Sequence, residues 1–296
     1  MGCGEQSAHS ARRSWGSRRQ RPGGRDRSVT NRIAVQSRLI PGESLKEIDH
    51  AARAIGFDGI ELQGFPMIDL AREALRDGVA ISAMCSGHRG WFIDPDPQQV
   101  KACIADVKTL LELGADLDAP LIIVPIYGRT RFLPAPCSTG RTAEDDEALW
   151  LEGLNEVAAH ADRVGGRLLI EGINRYQNSV SVRVADAVRF AKLTGSPNVR
   201  AMADVFHMNI DEADMAQALI NADDLLDYIH LADNHRFEPG TGHLDFDSIF
   251  RGLAQIGFDG WLSFECNLSG PWDETLPAAL DFVRSGLERA RTASAT

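Results

Sequence analysis

Short apolar runs rich in Ile, Val and Leu alternate with amphipathic stretches from Asn31 to the end of the chain. Apolar runs of this length between polar or glycine positions are typical of buried strands, and apolar positions three or four apart are typical of helices. The pattern predicts strands at Arg32–Gln36, Gly59–Leu62, Val79–Met84, Leu121–Ile126, Arg167–Glu171, Val199–Asp204, Tyr228–Leu231 and Trp261–Glu265. A helix, or a loop and a helix, is predicted after each of them.

Two of the predicted helices have clear signals. Ser44 and Glu47 form a capping-box pattern that begins a helix, and Gly56 marks its end. The last helix has apolar residues at helical spacing, namely Leu276, Leu280, Val283 and Leu287. Eight strands that alternate with helices predict a (β/α)8 TIM barrel in a single domain over residues 31–296. A doubly wound sheet is the alternative, but no glycine-rich phosphate turn follows the first strand.

The composition fits one large globular domain. The chain has 296 residues, of which 44% are apolar and 25% charged, so it can bury a substantial core. It contains no apolar run of about 18 residues, which predicts no membrane span. Its five cysteines are scattered without CxxC spacing. This distribution favours a reducing, cytoplasmic setting and argues against a disulfide framework or a thiolate zinc site.

The charge is unevenly distributed. Residues 1–30 hold seven arginines against Glu5 and Asp26, a net of +5, so the net charge of −11 leaves −16 for the remainder. The Arg-rich segment has no apolar period, and we predict that it is a disordered leader. Such an arm could contact nucleic acid or have no function. The acidic body is a poor surface for DNA, so no nucleic-acid partner is expected.

Four consecutive predicted strands carry a potential metal ligand at or near their carboxyl ends: Glu171, Asp204, His230 and Glu265. In a barrel these ends surround one mouth, so the four side chains are expected to meet. Carboxylates beside apolar strand residues are costly to bury unless they are paired or metal-bound. Three carboxylates and one imidazole favour an oxygen-preferring divalent ion, with Mn²⁺ first and Mg²⁺ or Co²⁺ as alternatives.

Other polar residues near these strand ends are candidates for binding substrate. His207 and Arg236 could contact hydroxyl or carbonyl oxygens. Alternatively, His207 belongs to a helix start and Arg236 pairs with Glu238 in its loop. Further candidate pocket walls are His88, Trp91, Phe92, Tyr127, Arg129 and Arg131. The arginines among them would favour an acidic substrate.

Four segments resemble the sugar phosphate isomerase/epimerase family of the xylose-isomerase-like barrel superfamily, which includes D-tagatose and D-psicose 3-epimerases. They are Ile170–Tyr176, Met202–Asn209, Ile229–Gly242 and Phe264–Asn267. The resemblance implies that Glu171, Asp204, His230 and Glu265 bind one divalent ion and that His207 and Arg236 contact a sugar. It also implies that Glu171 and Glu265 transfer protons on opposite faces of a ketose through a metal-stabilised enediolate, in a homodimer or homotetramer.

Gln177 departs from this family pattern. The ketose 3-epimerases usually carry a glutamate at this position, where it bonds the sugar, and the neutral amide raises doubt that a free ketohexose is the substrate. A metal-dependent ketose 3-epimerase is the first hypothesis. An aldose–ketose isomerase, a hydroxypyruvate-type isomerase and a dehydratase of an inosose or dehydroshikimate-like acid are alternatives with nearly the same site. An abasic-site endonuclease and a non-catalytic sugar-binding barrel are more distant ones.

Overall fold

Eight parallel strands close into a barrel in the order β1 to β8. The computed structural model describes residues 31–128 and 139–294. The strands are β1 Arg32–Gln36, β2 Gly59–Gln63, β3 Ile81–Cys85, β4 Leu121–Ile123, β5 Leu168–Glu171, β6 Val199–Asp204, β7 Leu226–Leu231 and β8 Trp261–Phe264. The predicted (β/α)8 barrel is confirmed.

Helices cover the outside of the barrel. Within the described ranges they are α1 Leu45–Ile55, α2 Met67–Asp77, α3 Pro97–Leu117, α4 Ala143–Val164, α5 Val184–Thr194, α6 Val205–Asp211, α7 Met215–Ala222, α8 Phe246–Gln255 and α9 Trp272–Ala293. The capping signals are confirmed: Ser44 accepts from the backbone N–H of Glu47, and Gly56 ends α1 in the left-handed conformation. The four apolar residues of the last helix are all buried.

Several predicted strand ends are corrected. Val79 belongs to the turn that ends α2, where its N–H donates to the Ala74 carbonyl at 2.9 Å. Strand β4 stops at Ile123, although the apolar run stays buried as far as Ile126. Pro125 lies within that run and has no N–H to extend a ladder. Strand β7 begins at Leu226, two residues earlier than predicted.

The core has two layers. The larger one lies between the strands and the helices. The smaller apolar layer fills the barrel interior and consists of Ala83, Ile122, Leu169, Met202 and Tyr228. Several polar side chains are also buried on the strands, among them Gln36, Glu61, Ser82 and Ser263. Because buried polar groups require partners, this polar interior needs an explanation.

The Arg-rich leader, Arg129 and Arg131 lie outside the described residues. No helix in the described part of the chain has the length and apolar character to cross a membrane. Cys85, Cys103 and Cys266 are free thiols.

Candidate active site

The four predicted metal ligands converge at the carboxyl end of the barrel. Glu171 and Asp204 are the last residues of β5 and β6, His230 precedes the last residue of β7, and Glu265 directly follows β8. Strand register sets Asp204 beside His230. One ligand atom from each of the four residues lies within 4.8 Å of the others. The side chains of Asp204 and His230 are fully buried, whereas that of Glu265 is 17% exposed.

These residues fit a divalent cation. Three carboxylates and one imidazole would hold an oxygen-preferring divalent ion here and balance its charge. Within the described residues, Glu171 Oε1 is buried without a hydrogen-bond partner. His230 Nδ1 lies 2.6 Å from Glu265 Oε2 and 3.7 Å from Glu171 Oε1. Buried carboxylate oxygens and an imidazole nitrogen that face one another are the kind of ligand atoms that a cation would coordinate.

The two carboxylate oxygens of Asp204 have different roles, one in capping a helix and one in the candidate site. Oδ1 accepts from the Phe206 N–H at 2.9 Å and so caps α6. Oδ2 accepts from Arg236 at 2.5 Å and lies 3.6 Å from His207 Nε2. The helix cap fixes the carboxylate plane, because rotation would break the bond to Phe206. Oδ2 is thereby held toward the barrel mouth.

Arg236 joins two of the candidate ligands. Its guanidinium bonds Asp204 and lies 2.8 Å from Glu265 Oε2, over the ring of Phe206. The alternative pairing with Glu238 is wrong, because that carboxylate accepts from the N–H and hydroxyl of Ser269. Arg236 has a φ of +66°, a conformation that non-glycine residues adopt rarely and often at functional sites.

His207 is buried on α6, so both its predicted helical position and its place beside the site are observed. Its Nδ1 is 2.7 Å from Asn174 Nδ2. The orientation of the Asn174 side-chain amide follows from a second hydrogen bond, because its Oδ1 accepts from the Tyr176 N–H at 3.1 Å. Nδ2 therefore donates to Nδ1 of His207, and the ring hydrogen of the neutral imidazole is on Nε2. Burial lowers the pKa of His207 to about 4, which keeps this ring neutral.

Asp233 organises the loop that carries Arg236. Its Oδ1 accepts from the N–H groups of Asn234 and Leu244, and its Oδ2 accepts from that of Gly240. Burial alone would raise the pKa of Asp233, but these backbone donors hold it below its usual range. A Cβ on Gly242 would lie 2.2 Å from Asp233 Oδ1, so this position requires glycine.

We expect Asp233→Asn to lower the free energy of unfolding by about 1.5–3 kcal/mol at pH 7, because an amide nitrogen cannot accept the backbone bonds. A depressed pKa adds stability that is fully present above the unfolded-state value of about 3.9 and is lost as pH falls through the folded-state value. The difference between the variant and wild type should therefore shrink in acid. Urea titrations at pH 7 and near pH 3.5 measure it, and an equal difference at both pH values would contradict the assignment.

Gln177 and Tyr127 form one wall of the mouth. Gln177 Nε2 donates to the Tyr127 hydroxyl at 3.3 Å, and Asn174 Nδ2 lies 3.3 Å from Gln177 Oε1. Tyr127 is 44% exposed and its ring is 6.2 Å from that of Trp91. Phe92, by contrast, is fully buried against Trp150 and is not a wall residue. The amide of Gln177 is thus part of a neutral polar wall with aromatic faces.

The chain is similar to known proteins that share its barrel fold. The family model described as xylose isomerase-like TIM barrel matches residues 50–286. The chain belongs to this family. The 3-dehydro-D-guloside 4-epimerase of Escherichia coli (strain K12) is 30% identical over 239 residues, which cover 79% of this chain and 91% of that protein.

Two further relatives of this xylose isomerase-like barrel are informative. The D-psicose 3-epimerase of Agrobacterium fabrum is 37% identical over 220 residues, covering 71% of this chain and 75% of that protein. The apo crystal structure of 3-keto-D-glucoside 4-epimerase from E. coli superposes with a TM-score of 0.76 at 27% identity, covering 89% of this chain and all of that one. The relatives of this barrel are ketose 3-epimerases and related sugar epimerases.

The two glutamates of this family member have different proton affinities. Burial raises the pKa of Glu171 to about 7, although His230 acts in the opposite direction. Burial also favours the neutral form of Glu265, but His230 and Arg236 outweigh it and hold the pKa of that carboxyl well below its usual range.

Sequence reasoning missed Glu61 and Asn174. Glu61 lies within β2 rather than at a strand end, and its side chain is fully buried. A carboxylate inside an apolar strand is the available signal, but barrel topology points to strand ends and the loops that follow them. Asn174 carries no signal of its own, because its role depends on the distant His207.

Proposed function

We propose that this chain is a divalent-metal-dependent sugar epimerase that inverts a carbinol carbon next to a ketone. The supporting observation is the placement of Glu171 and Glu265. They come from β5 and β8, at the two ends of a row in which Asp204 and His230 occupy the middle strands. Inversion requires a proton to leave one face of the carbon and to return on the other, and two carboxyl groups at opposite sides of the substrate can carry out these two transfers.

The proposed reaction consists of two proton transfers. One glutamate takes the proton from the carbon next to the ketone, which leaves an enediolate, and the other donates a proton to the opposite face. In one direction, one of the two glutamates is the base and the other is the acid. The reverse direction exchanges the roles. A bound divalent cation supplies Lewis acidity that stabilises the enediolate charge.

Glu171, Asp204, His230 and Glu265 would hold the cation, and His207 and Arg236 would orient the sugar. His207 carries its ring hydrogen on Nε2, the nitrogen that faces Asp204 and the mouth. It is therefore suited to donate to a substrate hydroxyl or carbonyl oxygen. Arg236 carries a fixed positive charge beside Asp204 and Glu265, where it can stabilise the oxygen that becomes negative.

Two substrates of this chemistry are candidates. A ketose 3-epimerase acts on the carbon beside a C2 ketone, and a 3-ketoglycoside 4-epimerase acts on the carbon beside a C3 ketone. Both share the same α-hydroxyketone unit, so one set of residues serves both. The second candidate is favoured by Gln177, a neutral amide where the ketose 3-epimerases have glutamate, and by the E. coli 4-epimerase, 91% of whose length is matched. Gln177 would contact the sugar from the Tyr127 wall.

Solvent exchange tests the proposal. We expect the Mn²⁺-loaded protein in D₂O to incorporate deuterium at the carbon next to the ketone and to form the epimer, with either D-psicose or a methyl 3-keto-glucoside. NMR measures both events, and the ratio of the two rates identifies the preferred class. Incubation with hydroxypyruvate and with an inosose covers the isomerase and dehydratase alternatives. Exchange with neither sugar class would contradict the epimerase.

The proposal also includes the identity of the ion, the cellular location and the oligomeric state. Mn²⁺ is the proposed ion, with Mg²⁺ and Co²⁺ as alternatives. Cytoplasmic location is supported by the three free thiols of the described residues. The homodimer or homotetramer stays a prediction.

A further inference from the structure

Glu61 is a buried carboxylate that the proposed reaction does not use. It lies on β2 and reaches across the barrel to β7, with β1 and β8 between them. Its oxygens accept from Gln36 Nε2 at 2.9 Å and from the Tyr228 hydroxyl at 2.7 Å. His230 Nε2 lies 3.0 and 3.1 Å from its two oxygens. A carboxylate that is buried away from water needs several hydrogen-bond donors to be stable, and these three groups supply them.

The arrangement fixes the two nitrogens of His230. Gln36 and Tyr228 donate to Glu61, so the carboxylate is an acceptor for Nε2–H. The opposite ring nitrogen, Nδ1, faces Glu171 and Glu265. In protein metal sites, a carboxylate behind a histidine holds the ring orientation and makes the coordinating nitrogen more basic.

We infer that Glu61 is a positioning residue for the metal site: it holds the hydrogen of His230 on Nε2 and directs the Nδ1 lone pair toward the cation. The inference rests on the proposed function, because it concerns the same site. Gln36 and Tyr228 hold Glu61 in turn, so the support extends from β1 and β7 into the barrel interior.

A separate metal site at Glu61, Cys85 and His230 is the competing interpretation, since their ligand atoms also lie within 4.8 Å of one another. The hydrogen bonds argue against it, because both oxygens of Glu61 already accept from Gln36 and Tyr228.

Calorimetric titration of the chelator-treated full chain with Mn²⁺ tests the inference. We expect one ion per wild-type chain and a loss of about 10- to 100-fold in affinity for Glu61→Gln. Tyr228→Phe removes one bond that holds the same carboxylate but keeps the charge behind His230, so its loss of affinity should be smaller. Glu147→Gln is the matched control, since it removes a partly exposed carboxylate on α4 that pairs with Arg189, and its affinity should stay at the wild-type level. Melting temperatures in chelator measure the structural cost of each substitution.

The possible outcomes are distinct. If Glu61→Gln binds Mn²⁺ as tightly as wild type and only its melting temperature falls, Glu61 is structural and the inference is wrong. Two ions per wild-type chain would favour the Cys85 cluster and also overturn it. If wild type binds no Mn²⁺, the metal site fails and the inference fails with it.

A second measurement needs no substitution at Glu61. Nitrogen-15 NMR of the histidine-labelled wild type with Mg²⁺ reports the tautomer of each ring. The signals of His230 are assigned by their loss in His230→Asn. We expect hydrogen on Nε2 of His230, and hydrogen on Nδ1 would contradict the inference.

Discussion

Glu171→Gln and Glu265→Gln are each expected to lower epimerisation turnover by about 10²- to 10⁴-fold, the usual contribution of a general acid or base. Glutamine keeps the side-chain shape and a neutral oxygen ligand but cannot carry the proton. The two carboxyls act on opposite faces in the proposed reaction, so each substitution stops inversion. Steady-state rates with the preferred keto sugar measure the loss.

Deuterium exchange separates this explanation from simple damage to the site. A variant that retains one glutamate can still remove and return a proton on that face. We expect Glu265→Gln to exchange the α-proton of one epimer without inversion, and Glu171→Gln to do so with the other epimer. Metal analysis must show a bound ion in each variant, so that the loss is not a loss of cation.

Glu147→Gln is the matched control. Glu147 lies on α4, has a side chain that is 39% exposed and pairs with Arg189, so its loss should leave turnover at the wild-type level. Wild-type turnover in either Glu171→Gln or Glu265→Gln would show that the two-carboxylate mechanism is wrong.

The sequence predicted the four candidate ligands because barrel topology brings strand ends together. Glu171 and Asp204 end their strands, and His230 and Glu265 lie within one residue of a strand end. This prediction needs no distances or contacts, because parallel strands that follow one another around a barrel bring their carboxyl ends to the same mouth. The same reasoning could not find Glu61, whose importance depends on what lies across the barrel interior.

Closeness in sequence predicts side-chain partners less well than barrel topology predicts the meeting of strand ends. The possible pairing of Arg236 with Glu238 relied on closeness in sequence, but the left-handed backbone at Arg236 directs the guanidinium to Asp204, 32 positions away. Asn174 illustrates the same limit, because its bond to His207 spans 33 positions. The pattern of apolar residues predicts where strands end. The partners of loop side chains depend on backbone dihedral angles, which this pattern does not predict.

Chelation of the divalent ion is expected to abolish epimerisation and to lower the melting temperature without unfolding the protein. Arg236 bonds Asp204 and Glu265, and the charges of Glu61 and Glu265 outweigh burial and leave the pKa of His230 well above its usual value. These positive groups compensate the carboxylates when the cation is removed, so the barrel should remain folded. The lost activity follows from the lost stabilisation of the enediolate.

The size of the thermal shift follows from linkage. An ion present at 100 times its dissociation constant stabilises the folded state by about 2.7 kcal/mol. For a domain of this size, 1 kcal/mol corresponds to roughly 2–4 °C, so chelation should lower the melting temperature by about 5–10 °C. Calorimetry with chelator and then with added Mn²⁺ measures the fall and its reversal.

Asp204→Asn distinguishes this site from other metal binding on the acidic surface. The amide of this variant retains an oxygen that can cap α6 but loses the charge that faces Arg236 and the cation. We expect the variant to fold and to gain no more than a small thermal shift from Mn²⁺. A full wild-type shift in Asp204→Asn would place the stabilising ion elsewhere, and unchanged activity after chelation would contradict the metal dependence itself.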